Sequence, residues 1–566
     1  MKTHLIRGIV LSLLVSTAAL GKTTINIRGV SDSLLTNVNS RLNEYNEKKP
    51  LNSQSDKTII EQVKLALSPY GYFSPEIKLF RNASNFPSTI SIAKGQPTRI
   101  SQLDIKVIGP GRENPQIVKA LLDLPIQRGQ IFNSESYEDA KKALFDAAEH
   151  EGYLKSRFET SIVLVDKRSY SASITLLFNT NKQYFFGKVH FNKTRLSPHL
   201  LHRFIPFQFA MPYRTDKIIT LNNDLSGSGY FKHVNVKPHI NSQTYVPISV
   251  HLDPVSRYNY TLGVGYGTDT GPRGRAGLSI VPLNEYGHKF NLIAQGSMTQ
   301  NALQAQYVIP GFNPVTDEYD LTVTAGDQDF SSGYSNSVLL TAAARHHKKH
   351  FQRILSLNAL YERYNYNNLN LPRTESGTFF PRGLLSWHHG EGELFSKNGY
   401  NVTFTALAAS RRVLSKNDLG QVDGDLKVAV TSNFLRVRLF AHTIQGITLT
   451  NNINNVPLSL AFLLGGADNL KGYGYNSIGP GKQVEFYGIE LQKEMKDDWY
   501  LIGFVDAGDV YNPLPRLMKY DAGAGIMWVS PVGPIKVGLA QAVNSNFQRV
   551  RGRNPRLVIS MGPDLA

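Results

Sequence analysis

No cysteine occurs anywhere in the 566 residues, which excludes a disulfide framework and any thiolate metal site. Long apolar runs are missing too. Beyond the N-terminus nothing approaches the ~18–20 apolar residues that a membrane helix needs, so a chain of this kind that enters a membrane does so with strands. Runs of six or more like charges are absent, and the formal charge of +17 is scattered along the length, which argues against a nucleic-acid-binding arm. A catalytic constellation is lacking as well. His346-His-Lys-Lys-His350 and His388-His389 fall at expected turns, away from any serine–acid partnership. Glu149-His150-Glu151 closes an expected helix with no further ligand spaced for a metal. No catalytic residue, cofactor or metal is assigned, and the chain does not read as an enzyme.

What is present is a folded, exported chain. Charged residues make up 19% and apolar residues 41%, so disorder is excluded, and the length suits two to four domains. Lys2 and Arg7, the apolar run Ile9–Val15 and the small residues of Ala19-Leu20-Gly21 form an export signal over residues 1–21.

A small unit then repeats. Gly71-Tyr72-Phe73, Gly152-Tyr153-Leu154 and Gly229-Tyr230-Phe231 are near-copies. Eight and four positions before each glycine stand Val63 and Leu67, Leu144 and Ala148, Leu221 and Leu225, a spacing that puts each pair on one helical face. The glycine suits a helix C-cap in left-handed geometry. A strand precedes each unit (Ile25–Val30, Leu103–Ile108, Phe185–Phe191), and two more come after the glycine. The order strand, helix, helix, strand, strand predicts three α+β modules, over residues 22–95, 96–180 and 181–253. Their sheet edges are free to accept an extended partner strand.

From residue 254 the pattern changes to alternation. Tyr258, Tyr260, Leu262, Val264 and Tyr266 interleave with Asn259, Thr261, Gly263, Gly265 and Gly267; Val402, Phe404, Ala406 and Ala408 do so more weakly with Asn401, Thr403 and Thr405. A membrane strand takes ~9–11 residues, and with connections the remaining length predicts an antiparallel transmembrane β-barrel of about 16 strands over 254–566. A soluble sandwich or propeller is the alternative, and the tyrosines near strand ends favour the barrel. Closure requires the first strand to pair with the last, because lipid satisfies no open backbone edge. The last strand is expected to turn Leu557, Ile559 and Met561 outward and Val558, Ser560 and Gly562 inward. With Gly263, Gly265 and Gly267 across from Ser560 and Gly562, this seam is expected to be the weakest.

One loop stands out. Residues 465–481, GGADNLKGYGYNSIGPG, hold six glycines and lie on a long connection between expected strands 11 and 12, and loops that long usually do a job. Alternation in strands 12 and 13 sends Glu490 and Asp506 into the lumen. A loop folded inward would bring Lys471 to these two carboxylates, with Gly472 and Gly474 permitting a tight turn and Tyr473 packing along the inner wall. A solvated loop over two pore-lining acids is the other reading of the residues alone.

Leu470-Lys471-Gly472-Tyr473 resembles the Val-Arg-Gly-Phe/Tyr signature of the Omp85 superfamily. Phe504-Val-Asp-Ala-Gly508 is similar to its Asp-centred strand motif, Trp528-Val-Ser-Pro-Val-Gly-Pro-Ile-Lys536 to its late-strand motif, and the Gly-Tyr modules to its polypeptide-transport-associated (POTRA) domains. Three modules, this length and the end Met561-Gly-Pro-Asp-Leu-Ala566 most resemble the TamA-type branch, the outer-membrane subunit of the translocation and assembly module. The resemblance implies an outer-membrane factor that inserts client barrels, autotransporters among them, through a lateral gate. It also implies a TamB-like inner-membrane-anchored partner at the first module, contact with outer-membrane lipid, and the loop–aspartate lock. Two-partner secretion and phospholipid transport are the superfamily alternatives. The family arginine is Lys471 here, which keeps the charge but loses the bidentate fork.

Overall fold

The computed structural model describes residues 25–562 and Leu565, except 84, 242, 368–372, 391, 393, 532 and 551. The expected export signal over 1–21 lies outside the described residues. By internal contacts the chain divides into two units. One runs through Lys188 and includes Gln208–Asp216 and Pro238–Ile248; the other comprises Val189–Phe207, Lys217–Lys237 and the chain from Ser249 onward.

Amphipathic spacing builds the N-terminal modules. In the first, helices Asp32–Lys48 and Asp56–Leu67 turn Val38, Leu42, Ile59, Val63 and Leu67 onto Ile90 and Ile92 of the strand Pro87–Ala93. That strand is central, with Asn26–Arg28 parallel on one side and Glu76–Arg81 antiparallel on the other. The second module repeats the arrangement. Strand Ser171–Asn179 lies between Arg99–Ile108 and Arg157–Asp166, and Leu144 and Ala148 of the helix Ser134–His150 are fully buried. The third has strands Phe185–Phe191, Phe231–Pro238 and Tyr245–Pro254, the last of them central.

The three repeated glycines have φ of +85° at Gly71, +84° at Gly152 and +77° at Gly229, a region that disfavours any residue with a Cβ. Each Gly-Tyr pair also offers a backbone carbonyl to the segment after it. Gly71 O accepts from Thr98 N at 2.8 Å, Gly152 O from Tyr184 N at 2.8 Å, and Tyr230 O from Val255 N at 3.0 Å. The repeat is thus a helix stop and a joint to the next module or to the barrel.

The C-terminal unit carries sixteen antiparallel strands in sequential order, from Tyr258–Gly267 to Arg556–Met561. Outward positions such as Leu321, Leu340, Leu357, Ile489 and Val505 are exposed and apolar, while Asn358, Glu362, Gln421, Glu490, Gln492 and Asp506 are buried inside. This is the alternation of a barrel in lipid; among the described residues no helix is long and apolar enough to span a membrane. The wall is uneven. Strands five to eight (Asp317–Phe330, Gly333–Lys348, Phe351–Tyr366, Thr374–Gly390) have 14 to 17 residues, whereas the first has 10 and the last 6. Fewer backbone bonds are therefore available where the two ends of the sheet meet.

The barrel's own unit includes part of the third module, and the two are pinned. Tyr230 Oη donates to Gly287 O at 2.5 Å, Lys289 Nζ to Ser228 O at 3.2 Å, and Arg203 Nη2 to Phe312 O at 3.0 Å. Burial raises the pKa of the Tyr230 phenol, with Glu318 adding to the effect, so the hydroxyl stays a donor across the physiological range.

Gly152→Ala is expected to lower the stability of the N-terminal modules by ~1–2 kcal/mol from left-handed strain alone. The new Cβ would also stand 2.6 Å from Tyr184 O. Thermal unfolding of the full chain followed by circular dichroism measures the loss, and an unchanged transition would show that this joint is not strained by a side chain.

Candidate functional site: an inward-folded loop at an open seam

The connection between strand eleven (Val437–Leu449) and strand twelve (Gln483–Lys496) is not a solvated loop. Its apolar residues follow the inward-facing side chains of the wall. Ile453 and Val456 pack with Leu360, Phe380 and Leu407; Leu458 packs with Phe330, Tyr364 and Tyr366. Leu464, Leu470, Tyr473 and Ile478 pack with Phe486, Val510 and Ala542. The polar inner wall satisfies the loop backbone. Tyr366 Oη donates to Val456 O at 2.7 Å, Gln421 Nε2 to Leu460 O at 3.0 Å, and Ser459 N donates to Glu362 Oε1 at 3.1 Å. The connection is thus held along the inner wall as a plug, where its buried backbone groups find the partners they demand.

At the tip, Lys471 Nζ lies 2.8 Å from Asp506 Oδ2 and 4.6 Å from the centre of the Phe504 ring. Asp506 sits on strand thirteen (Trp499–Tyr511) and is 1% exposed. Gly472 N donates to Asp521 Oδ2 at 2.9 Å, and Tyr473 is buried with the Arg553 guanidinium 4.6 Å from its ring centre.

Three details differ from the sequence expectation. Glu490 is in the lumen, but its ion pair is with Lys536 Nζ at 2.8 Å, not with Lys471. It belongs to a separate chain in which Gln492 Nε2 donates to Glu490 at 2.6 Å and Arg438 Nη1 donates to Gln492 at 2.7 Å. The late-strand motif ends in Lys536, and its alternation signals an inward cation that the sequence reading left without a role. Second, Gly472 is central in the tight turn at the tip, where Tyr473 N donates to Leu470 O at 3.1 Å, and Gly474 opens the next, where Ser477 N donates to Gly474 O at 3.2 Å. Neither has positive φ, which among the glycines of this stretch falls at Gly465, Gly466 and Gly479, so the turns do not require glycine for its backbone freedom. Gly472 instead allows close approach, because a Cβ there would stand 2.8 Å from Asp521 Cβ and 2.9 Å from Ala542 N. Third, Asp521 was missed altogether. It shares its inward pleat with Gly523 and Gly525 on strand fourteen (Lys519–Ser530), an alternation that marks it as lumenal.

The first and last strands do not pair. Among the described residues the sheet runs through fifteen ladders and stops, with no backbone ladder between Tyr258–Gly267 and Arg556–Met561. The expected closing ladder is therefore corrected: the last strand has only six residues, and among the described residues no backbone–backbone hydrogen bond joins it to the first. Gly267 comes nearest, with the position of a Cβ 4.0 Å from Ile559 O. Gly263 has nothing within 4 Å, and Gly265 meets only Arg273 of its own hairpin. Ser560 is registered on Lys536 of strand fifteen (Gly533–Val543), and Gly562 follows the strand end, with its N–H donating to Pro534 O at 3.1 Å. The outward side chains of the first strand stand clear, Val264 being 94% exposed.

Side chains stitch the gap instead. Ile559 N donates to Thr268 Oγ1 at 3.2 Å. Arg556 on the last strand forms an ion pair with Asp269, just past the end of the first strand. The same guanidinium donates to Tyr473 O at 3.0 Å and Lys471 O at 3.2 Å, and Asp269 Oδ2 accepts from Ala467 N at 2.6 Å. One arginine and one aspartate thus tie both edges of the sheet to the loop tip. Neither residue was singled out from sequence, since an isolated Asp in a hairpin turn carries no signal of its distant partner.

Removing one member of a buried ion pair leaves the other uncompensated and costs ~3–5 kcal/mol. Asp506→Ala is accordingly expected to lower the temperature at which the barrel loses its compact form in a heat-shift gel. Lys471→Arg is expected to preserve or raise it, because Asp521 Oδ1 is a buried acceptor with no hydrogen-bond partner and suits the second arm of the fork. Unchanged behaviour in both variants would remove the pair from any bracing role.

Comparison with known proteins places this geometry. Residues 284–553 match the Omp85 superfamily domain, and residues 24–91 match the first POTRA domain of TamA. The fold is similar to BamA from Haemophilus ducreyi lacking POTRA domains 1–3, with a TM-score of 0.67 and 16% identity over 82% of this chain and 99% of that one. CdiB from Acinetobacter baumannii aligns over 94% of this chain and 99% of its own at 12% identity and a TM-score of 0.48. Carrying a TamA-type first module, an Omp85 domain and a sixteen-stranded barrel, the chain belongs to the Omp85 superfamily of outer-membrane assembly and translocation proteins.

Proposed function

We propose that this protein inserts client β-barrel proteins, autotransporters among them, into the outer membrane through the seam between its first and last strands. The carrying observation is the free edge of Tyr258–Gly267 in a sheet whose other neighbours are all laddered. An unpaired backbone edge in hydrocarbon costs several kcal/mol per group, so the first strand has a standing demand for a partner strand. A client strand supplies it without displacing a ladder, since among the described residues the links between the two strand ends are Ile559–Thr268 and Arg556–Asp269. Insertion is then β-augmentation, in which backbone bonds give affinity and demand little of the client's sequence.

In this reading the loop lock holds the working shape of the wall beside the seam, with Lys471, Gly472 and Tyr473 on Asp506 and Asp521. Glu490 braces the same wall through Lys536. The plug also opposes a passive channel, because passage along the lumen would require breaking its bonds to Tyr366, Gln421 and Glu362. The modules lie in the periplasm, and the first offers the outer side of its edge strand Asn26–Arg28 to a TamB-like inner-membrane-anchored partner. Catalysis has no part in this mechanism.

A cysteine pair at Thr268 and Ile559 tests the gate. Oxidised, it is expected to reduce client insertion to background in a reconstituted vesicle assay, with recovery on reduction. Full insertion by the crosslinked barrel would overturn the reading.

A further inference from the structure

The rim of the barrel on the module side carries a concentration of cations that the gate does not use. From Arg345 to Arg353 the chain reads Arg-His-His-Lys-Lys-His-Phe-Gln-Arg, without an acid. Pleat alternation decides where these point. Arg353 shares the outward face of its strand with the exposed Leu355 and Leu357, and it is registered opposite His346 on one side and Leu385 on the other. Arg345, on the opposite pleat, turns inward to Asp320 at 2.5 Å. His346 pairs with Asp317 at 2.6 Å. Among the described residues no carboxylate lies within ion-pair distance of Lys348, Lys349 or Arg353.

Aromatic rings lie along the same rim. Phe351 and Trp387 lie 5.2 Å apart, His350 and His389 5.2 Å, and His389 and Tyr400 6.0 Å. Rings and long cationic side chains at one level are what a membrane–water interface selects. A guanidinium on a lipid-facing wall without a protein anion needs an anion from elsewhere. Directly beyond Arg353, toward the barrel's middle, the wall sinks into an apolar trough of about 830 Å³. Ala342 and Ala344 lie on its floor between Leu321 and Leu355, and Gly383 and Ala406 continue it on the next two strands. Small residues flanked by leucines leave room for an extended hydrocarbon chain.

We infer that strands six to eight, with strand nine (Gly399–Ala409), bind an anionic glycerophospholipid of the adjoining leaflet. Its phosphate meets Lys348, Lys349 and Arg353 beside Trp387, and an acyl chain lies in the trough. The inference rests on the reading that the module side faces the periplasm, but its test makes no use of client insertion, so each stands or falls alone. The site lies on the wall of long strands, away from the seam, and would hold that wall at a fixed depth in the leaflet.

Trp387 is one of three tryptophans, so a Trp499→Phe/Trp528→Phe chain reports from the site alone. It is reconstituted into phosphatidylcholine vesicles that contain an equal small fraction of either brominated phosphatidylglycerol or brominated phosphatidylcholine. Bromine quenches indole fluorescence on contact. The expected result is an enrichment of phosphatidylglycerol at Trp387 of about fivefold. In the same background, Lys348→Gln/Lys349→Gln/Arg353→Gln is expected to bring it to parity, with quenching by brominated phosphatidylcholine unchanged as proof that the rim is still folded in lipid. Equal quenching by the two lipids in the starting chain, which is the ordinary lipid shell, would overturn the inference. So would a phosphatidylglycerol preference that survives the triple substitution.

Discussion

A strand placed in hydrocarbon has to give the backbone groups on both its edges to other protein, and in this barrel the first and the last strands do not. The edge of Tyr258–Gly267 away from its hairpin faces no ladder, while every other neighbour in the sixteen-stranded order is paired. The remaining features of the C-terminal unit stem from living with that edge. The last strand has only six residues, so it cannot cover the first. The two ends of the sheet are tied through Arg556 and Asp269 at one level, by charges that separate more readily than a row of backbone bonds.

The lumen is organised around the same weakness. An apolar plug packs against the inner wall, and its charged tip reaches Asp506 and Asp521 on strands thirteen and fourteen and Arg556 on the last strand. Buried charges are tolerated there because each has a close partner: Lys471 with Asp506, Lys536 with Glu490, Arg556 with Asp269. These pairs join the loop tip, strands twelve, thirteen, fifteen and sixteen, and the turn after the first strand, so the two sides of the seam are cross-linked from within. Buried ion pairs are a poor source of stability compared with apolar packing and a good source of a single defined arrangement, and a defined position of loop against seam is what a gate requires.

Before the barrel, the repeated Gly-Tyr element solves a different problem with equally simple means. A left-handed glycine stops the helix, and the exposed carbonyl of the pair captures the first backbone N–H of the next module or of the barrel. The third copy adds the Tyr230 hydroxyl on Gly287 O, which fixes the turn between the second and third barrel strands from the module side.

The amino-acid sequence by itself determined the elements. Helical spacing before each Gly-Tyr fixes which faces are buried, and Val63, Leu67, Leu144, Ala148, Leu221 and Leu225 are all in the cores. The length left after the modules yields the strand count, and period-two alternation sends Glu490 and Asp506 inward, because pleating is local and needs no knowledge of the partner strand. The loop signature locates Lys471. What only the tertiary structure decided are the pairings between distant segments. Whether Lys471 or Lys536 takes Glu490, whether the first strand meets the last, and which aspartate receives Arg556 depend on shear and on how far a short strand reaches. Those quantities belong to the sheet as a whole, and no local stretch of residues encodes them.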